Sequence, residues 1–326
     1  MNYRPGRRRL LTVAAAAAAA AVLPGCAFLA DPTQTAALRA APPSDLPPRA
    51  ELTQVPFFPQ TRHHCGPAAL ATVLAHAGLP ADPVALADAV FLPAREGSLQ
   101  LEMLSGARRQ GAVATRLPPD LLALLREVAA GHAVLVLQNR GLDIAPMWHY
   151  AVLVGYDLPA RELFFRSGTL RREVLSLRTF EHIWARAGRW AIEVLPPGSL
   201  PATAREADAV EATLGFGRVA APAALAQAWG AVLKRWPANL LAGMGLGNAL
   251  YAAPDLLGAA RAFEAVAQRH DSAAAWNNLA RTRTALGDTH SARDAALRAV
   301  ARAQAAEPEW LRAAQQTLDA LNQFGR

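Results

Sequence analysis

Gln60-Thr61-Arg62-His63-His64-Cys65-Gly66-Pro67-Ala68-Ala69-Leu70 and, further along, Trp148-His149-Tyr150-Ala151-Val152-Leu153-Val154-Gly155-Tyr156-Asp157 are the two stretches that decide how this chain folds. In the first, Cys65 opens an apolar helix bearing Leu70, Val73, Leu74 and Ala77, closed by Gly78 with Pro80 beyond. A Cys in the first turn of a helix sits where the dipole and free N–H groups favour thiolate over thiol. The second stretch has a strand pattern. A His on a strand can meet that thiolate across a cleft, first as base and then as acid to a leaving amine. Gln60, upstream of the Cys, can donate its side-chain amide to a developing oxyanion beside the Cys65 backbone N–H.

Around these stretches, residues 51–197 place helix signals first and strand signals second. Asp82 caps a second helix through Ala89, with Pro83 in its first turn. Ser98 is expected to cap a third, Leu99 to Gln110, stopped by Gly111, and a fourth runs over Leu121–Ala130. Strand patterns follow at 133–138, 149–156, 162–166, 172–175 and 190–194, with a helix at 180–187 before the last. Helices followed by an antiparallel sheet describe an α+β domain.

In order and spacing these residues resemble papain-like cysteine peptidases, and within them the bacteriocin-processing branch that cleaves double-glycine leaders. The matching positions are Gln60, Cys65, Gly66, Pro67, His149, Tyr150, Gly155, Tyr156 and Asp157. The resemblance implies a papain-like fold over 51–197, with Cys65 as nucleophile, His149 as base and Gln60 in the oxyanion hole. Relatives carry Asp or Asn after the next strand to orient the His. Here Arg166-Ser167-Gly168 stands in that place, making Ser167 the nearest counterpart. A Ser hydroxyl can accept from the imidazole N–H but cannot stabilise imidazolium as a carboxylate does. Asp157 is the alternative orienting group, if its turn folds back. The resemblance implies a peptide or protein substrate, cut after small residues such as Gly-Gly. It implies no metal and no organic cofactor, and His63-His64-Cys65 has no second ligand group at zinc spacing. A non-catalytic binding scaffold, or an acyl or peptidyl transferase using the same thioester, are the alternatives.

Residues 1–25 read as a secretory signal: a basic start ending in Arg7-Arg8-Arg9, then an apolar run from Leu10 to Leu23. Leu23-Pro24-Gly25-Cys26 resembles the bacterial lipoprotein cleavage box, which implies a lipidated Cys26 as mature N-terminus and a membrane anchor. Ala27 after that Cys implies, by the same resemblance, an outer-membrane location facing the periplasm. Residues 26–50, with Pro42-Pro43 and Pro47-Pro48, read as a Pro/Ala-rich tether. Since Cys26 and Cys65 are the only cysteines, a lipidated Cys26 leaves Cys65 without a disulfide partner in an oxidising compartment.

Pro196-Pro197-Gly198-Ser199-Leu200-Pro201 marks a boundary, beyond which residues 205–323 are Ala-rich and helical. Leu246-Gly247, Leu250, Ala259, Phe263 and Val266 fall on the tetratricopeptide template, and Leu279-Ala280, Arg283, Ala292, Ala296 and Ala299 repeat it. Leu225, Trp229 and Val232 form a degenerate leading repeat, and 309–323 a capping helix. The expectation is an all-α tetratricopeptide-like docking domain for a protein partner, with an unrelated Ala-rich bundle as the alternative.

Composition bounds the rest. Of 326 residues, 52% are hydrophobic and 18% charged, which supports packed cores and excludes wholesale disorder. Four of the seven net positive charges are Arg4, Arg7, Arg8 and Arg9, so the remaining +3 is too weak a footprint for nucleic acid.

Overall fold

The computed structural model describes residues 31–59 and 64–324, so the signal segment, Cys26 and Gln60 lie outside the described residues. The first unit has helices α1 (Thr33–Ala40), α2 (Cys65–His76), α3 (Pro83–Val90), α4 (Gln100–Arg109), α5 (Leu121–Ala129) and α6 (Leu177–Ala185). Its strands are β1 (Arg49–Glu51), β2 (Val113–Arg116), β3 (Val134–Asn139), β4 (Trp148–Asp157), β5 (Glu162–Ser167), β6 (Leu170–Ser176) and β7 (Ala191–Leu195). They form one antiparallel sheet in the order β2-β7-β3-β4-β5-β6, with β1 also paired to β4.

β4 runs through the middle and serves two cores. Tyr150, Val152 and Val154 pack toward α2, whereas Ala151 and Leu153 pack toward α5 and α6, as side chains alternate across a strand. The register shifts between Leu153 and Gly155, after which Tyr156 joins the second core. Gly155 is needed at that shift: a Cβ there would sit 2.8 Å from Phe164 Cδ2 and 2.9 Å from the Ala50 carbonyl of the paired strand β1.

Three expectations are corrected here. The stretch read as a tether is folded from Asp31 onward. Glu181, fully buried on α6, accepts from Gln34 N at 3.0 Å, Thr35 N at 2.6 Å and Thr35 Oγ1 at 2.7 Å. Gln34 Oε1 in turn accepts from Leu121 N at 2.5 Å, so α1 caps α5. A buried carboxylate requires such donors, and α1 supplies them. Second, Ser98 does not cap α4: Leu99 takes the cap position without a side-chain bond. Ser98 instead lies against the first turn of α2, where a Cβ on Gly66 would approach its Oγ to 2.4 Å. Third, Val113–Arg116 is an additional strand, paired with β7. Asp82 does act as the cap of α3, accepting from Val84 N at 2.9 Å.

The second unit is helical: α7 (Glu206–Phe216), α8 (Pro222–Arg235), α9 (Leu240–Ala252), α10 (Leu256–His270), α11 (Ala273–Ala285), α12 (Thr289–Ala305) and α13 (Leu311–Phe324). Glycines set the approach of successive helices. A Cβ on Gly247 would sit 2.4 Å from Phe263, one on Gly243 2.3 Å from Val266, and one on Gly245 2.5 Å from Trp229. No helix among the described residues is long and apolar enough to cross a membrane.

The two units are joined by packing. Ala212 and Phe216 of α7 and Ala228 of α8 bury against Val113 of β2. Glu127, fully buried on α5, accepts from Ala202 N at 2.9 Å, Thr203 N at 2.6 Å, Thr203 Oγ1 at 2.5 Å and His132 Nδ1 at 2.8 Å.

Candidate active site

Cys65 is the first residue of α2 and half-buried at the floor of a cleft of about 1350 Å³ that His149 also lines. The walls are the segment 94–101 and the residues leading into β4. Leu99, Leu101, Met147 and Trp148 are exposed along its rim, so Trp148 is a groove residue, whereas Trp190 is buried edge-on against Tyr150. Asn139 shapes the wall, its Oδ1 accepting from Gly141 N and Met147 N at 3.0 Å each.

The local environment of the thiol differs from the sequence expectation of a depressed pKa. Burial pushes the Cys65 thiol up, and this outweighs the backbone N–H groups of Tyr150, Gly66 and Cys65 and the positive charge of Arg140, which favour thiolate. His149 is pushed the opposite way, down to about 4, by burial and then by Arg140, with Glu173 opposing. The resting pair is therefore neutral thiol and neutral imidazole.

His149 is the second residue of β4, opposite Gln138 of β3. Its Nε2 lies 2.9 Å from Ser167 Oγ, so Nδ1 is the nitrogen left for proton transfer. Ser167 is buried at the end of β5, where the β5–β6 register shifts and Gly168 turns the chain with φ +57°. Asp157 is not the orienting group. It lies at the far end of β4, about 27 Å from His149 at 3.4 Å per residue. There it pairs with Arg49 and accepts from Ala160 N at 3.0 Å.

Two residues that sequence reasoning missed surround Ser167. Arg140, just past β3, donates through Nη2 to Ser167 Oγ at 3.1 Å and through Nε to Gln138 Oε1 at 2.8 Å. Its Nη1 and Nη2 also grip Glu173 of β6 at 3.0 and 2.6 Å. Arg140 and Ser167 hold the Glu173 carboxyl below its ordinary range, against burial, which raises it. Strand register brings these residues together, and no local spacing in the sequence signals it.

Among the described residues, the one His/Cys/Asp/Glu group compact enough for a metal is Glu127, His132 and Glu193. It belongs to the joint between the units and does not line the cleft.

Residues 52–192 match a family model described as the Peptidase_C39 like family. This part of the chain is similar to C39-type cysteine peptidases. The match takes in Cys65, His149 and Ser167 and supports a cysteine peptidase acting on peptides. Among solved structures, one from Bacillus anthracis described as a C39-like peptidase is 20% identical, with a TM-score of 0.39, covering 45% of this chain and 97% of its own. The peptidase domain of Streptococcus ComA, a bi-functional ABC transporter, is also 20% identical, with a TM-score of 0.36, covering 44% of this chain and 99% of its own. No curated protein matches the chain.

Proposed function

We propose that this chain is a lipid-anchored cysteine peptidase of the bacterial cell envelope. The observation that carries this reading is that Cys65, at a helix N-terminus, and His149, held by Ser167, line one cleft. Cys65 Sγ attacks the substrate carbonyl as its proton passes to His149 Nδ1, so that charge develops only during attack. The Cys65 N–H and the Gln60 amide hold the oxyanion. Collapse of the tetrahedral intermediate expels the amine, which takes the proton from His149 and leaves a thioester. Water, deprotonated by His149, then releases the carboxylic acid and restores the thiol.

Cys26 carries the lipid, and the protein faces the periplasm from the outer membrane. The helices of 205–323 are tetratricopeptide-like repeats that dock a protein partner. The Gly247–Phe263 and Gly243–Val266 approaches support that assignment, since such repeats need small residues where paired helices meet. Cys26→Ala is expected to move the protein from the membrane to the soluble fraction or leave it unprocessed; wild-type protein found wholly soluble would contradict the anchor.

The catalytic reading is tested by incubating the full chain with peptides containing an internal Gly-Gly and analysing the products by mass spectrometry. Hydrolysis that disappears in Cys65→Ala and in His149→Ala is expected. A product joined to an added amine would instead assign a transferase. Absence of turnover with unimpaired partner binding would favour the scaffold alternative, which the raised thiol and the Ser at the orienting place support.

A further inference from the structure

Glu127 and His132 bracket the end of α5, and Glu193 lies on β7 opposite Thr115 of β2. One nitrogen of His132 and one carboxylate oxygen from each Glu all lie within 4.8 Å of one another. Both carboxyls are buried to 1% exposure or less. Glu127 has four donors for its four lone-pair sites: Ala202 N, Thr203 N, Thr203 Oγ1 and His132 Nδ1. Glu193 has no such set, and its Oε2 is buried in the cluster without a hydrogen-bond partner. Among the described residues, no Arg or Lys pairs with either carboxyl; the one ion-pair partner is His132. Two carboxyls buried this closely need a compensating positive charge, and the side chains around them do not supply enough of it.

We infer that Glu127, His132 and Glu193 bind a divalent transition-metal cation, zinc in the first instance, at the joint between the two units. Two carboxylates and one dication make a neutral buried site, and the orphaned Glu193 Oε2 gains a partner. A set of one imidazole nitrogen and two carboxylate oxygens suits zinc, whereas magnesium and calcium favour oxygen throughout. His132 Nδ1 and Glu127 Oε2, 2.8 Å apart, become neighbouring ligands once the ring proton moves from Nδ1 to Nε2. Donors on one zinc ion stand about 3–4 Å apart, so closing the set takes a side-chain shift of about an ångström. A fourth position is left for water, on the side where the His132 side chain is 23% exposed. Glu127 also holds Ala202 and Thr203 of the linker, and Arg235 of α8 donates to the Ala202 carbonyl at 2.6 Å. The ion therefore stiffens the connection between the cleft-bearing unit and the helices. Nothing in this assignment depends on the chemistry at Cys65.

The test uses the full chain carrying Cys65→Ala, so that the thiol takes no metal. It is stripped with EDTA, given zinc, freed of loose metal by gel filtration and assayed by mass spectrometry for zinc. One zinc ion per chain is expected. Glu193→Gln and His132→Gln, each added to that parent, are expected to weaken zinc binding about a hundredfold or more, since loss of an outer-shell partner alone costs about 10–100-fold. Zinc should also raise the melting temperature of the parent and leave that of the Glu193→Gln chain unmoved, although in EDTA Glu193→Gln is the more stable of the two. Cobalt in place of zinc reads the site without altering a ligand. The proton NMR spectrum should then show a single strongly shifted, exchangeable imidazole N–H, from His132 Nε2. A parent that retains no zinc, zinc retained equally by both variants (an adventitious ion only), or a cobalt spectrum without that resonance would overturn the inference and leave Glu127 and Glu193 as a metal-free pair of buried carboxyls.

Discussion

His149 enters any reaction as a neutral base. Burial and the nearby Arg140 guanidinium hold it down at about 4, against an ordinary value of 6.5. The acid limb of the kcat/KM profile is accordingly expected near pH 4, and steady-state rates across pH 3.5 to 8 check it; an inflection near 6.5 would contradict the buried, Arg140-flanked His. The sign of each neighbour gives a finer test. Arg140→Met should move the limb to higher pH and Glu173→Gln to lower pH, since Arg140 disfavours imidazolium and Glu173 favours it. The same depression links to stability. Between about 4 and 6.5 the unfolded chain binds a proton at this His that the folded chain does not, so stability falls as pH drops through that window.

At the scale of elements, glycines set how closely the C-terminal helices pack. Gly247→Ala gains helix propensity, yet its Cβ would stand 2.4 Å from the Phe263 ring. Overpacking costs about 1–3 kcal/mol against about 1 kcal/mol gained in propensity, so thermal melting should show net destabilisation. Gly230→Ala on α8 meets nothing within 4 Å and should raise the melting temperature instead. Two equal responses would mean that α9 and α10 do not pack as described.

Such helices and the central strands were legible in the sequence because their apolar runs are long. β4 spans Trp148–Asp157 where the pattern alone indicates 149–156. Val113–Arg116 was not legible, being a four-residue strand directly after a helix. α1 read as a tether because it buries only Thr35 and Leu38, and the carboxylate it serves, Glu181, lies far along the chain. In the site, Cys65, His149 and Ser167 could be found by their order. Arg140 and Glu173 could not, since only the pairings of Gln138 with His149 and Phe165 with Glu173 bring them together.

At the scale of the whole molecule, the joint between the two units is built on an unequal pair of carboxyls. Glu127 is held below its ordinary range: burial opposes this, but hydrogen bonds from His132, Thr203 and Ala202 outweigh it. Glu193 is pushed well above its ordinary value by burial and by Glu127, and its Oε2 has no hydrogen-bond partner among the described residues. Burial and Glu127 thus favour the protonated form of Glu193 in the fold over the unfolded chain, so its presence lowers stability as pH rises above about 4.5. Glu193→Gln removes that proton uptake. Its melting temperature should exceed that of the wild type by a margin that widens from pH 5 to pH 8. A margin independent of pH would mean that Glu193 is ionised in the folded protein.

The central claim is that Cys65 is a nucleophile served by His149. It is tested most directly by treating the full chain with a Gly-Gly peptide aldehyde or vinyl sulfone and mapping the adduct by mass spectrometry. The account requires a single adduct on Cys65, formed in the wild type, lost in Cys65→Ala and strongly slowed in His149→Ala. An unmodified Cys65, or labelling at the same rate with and without His149, would contradict it.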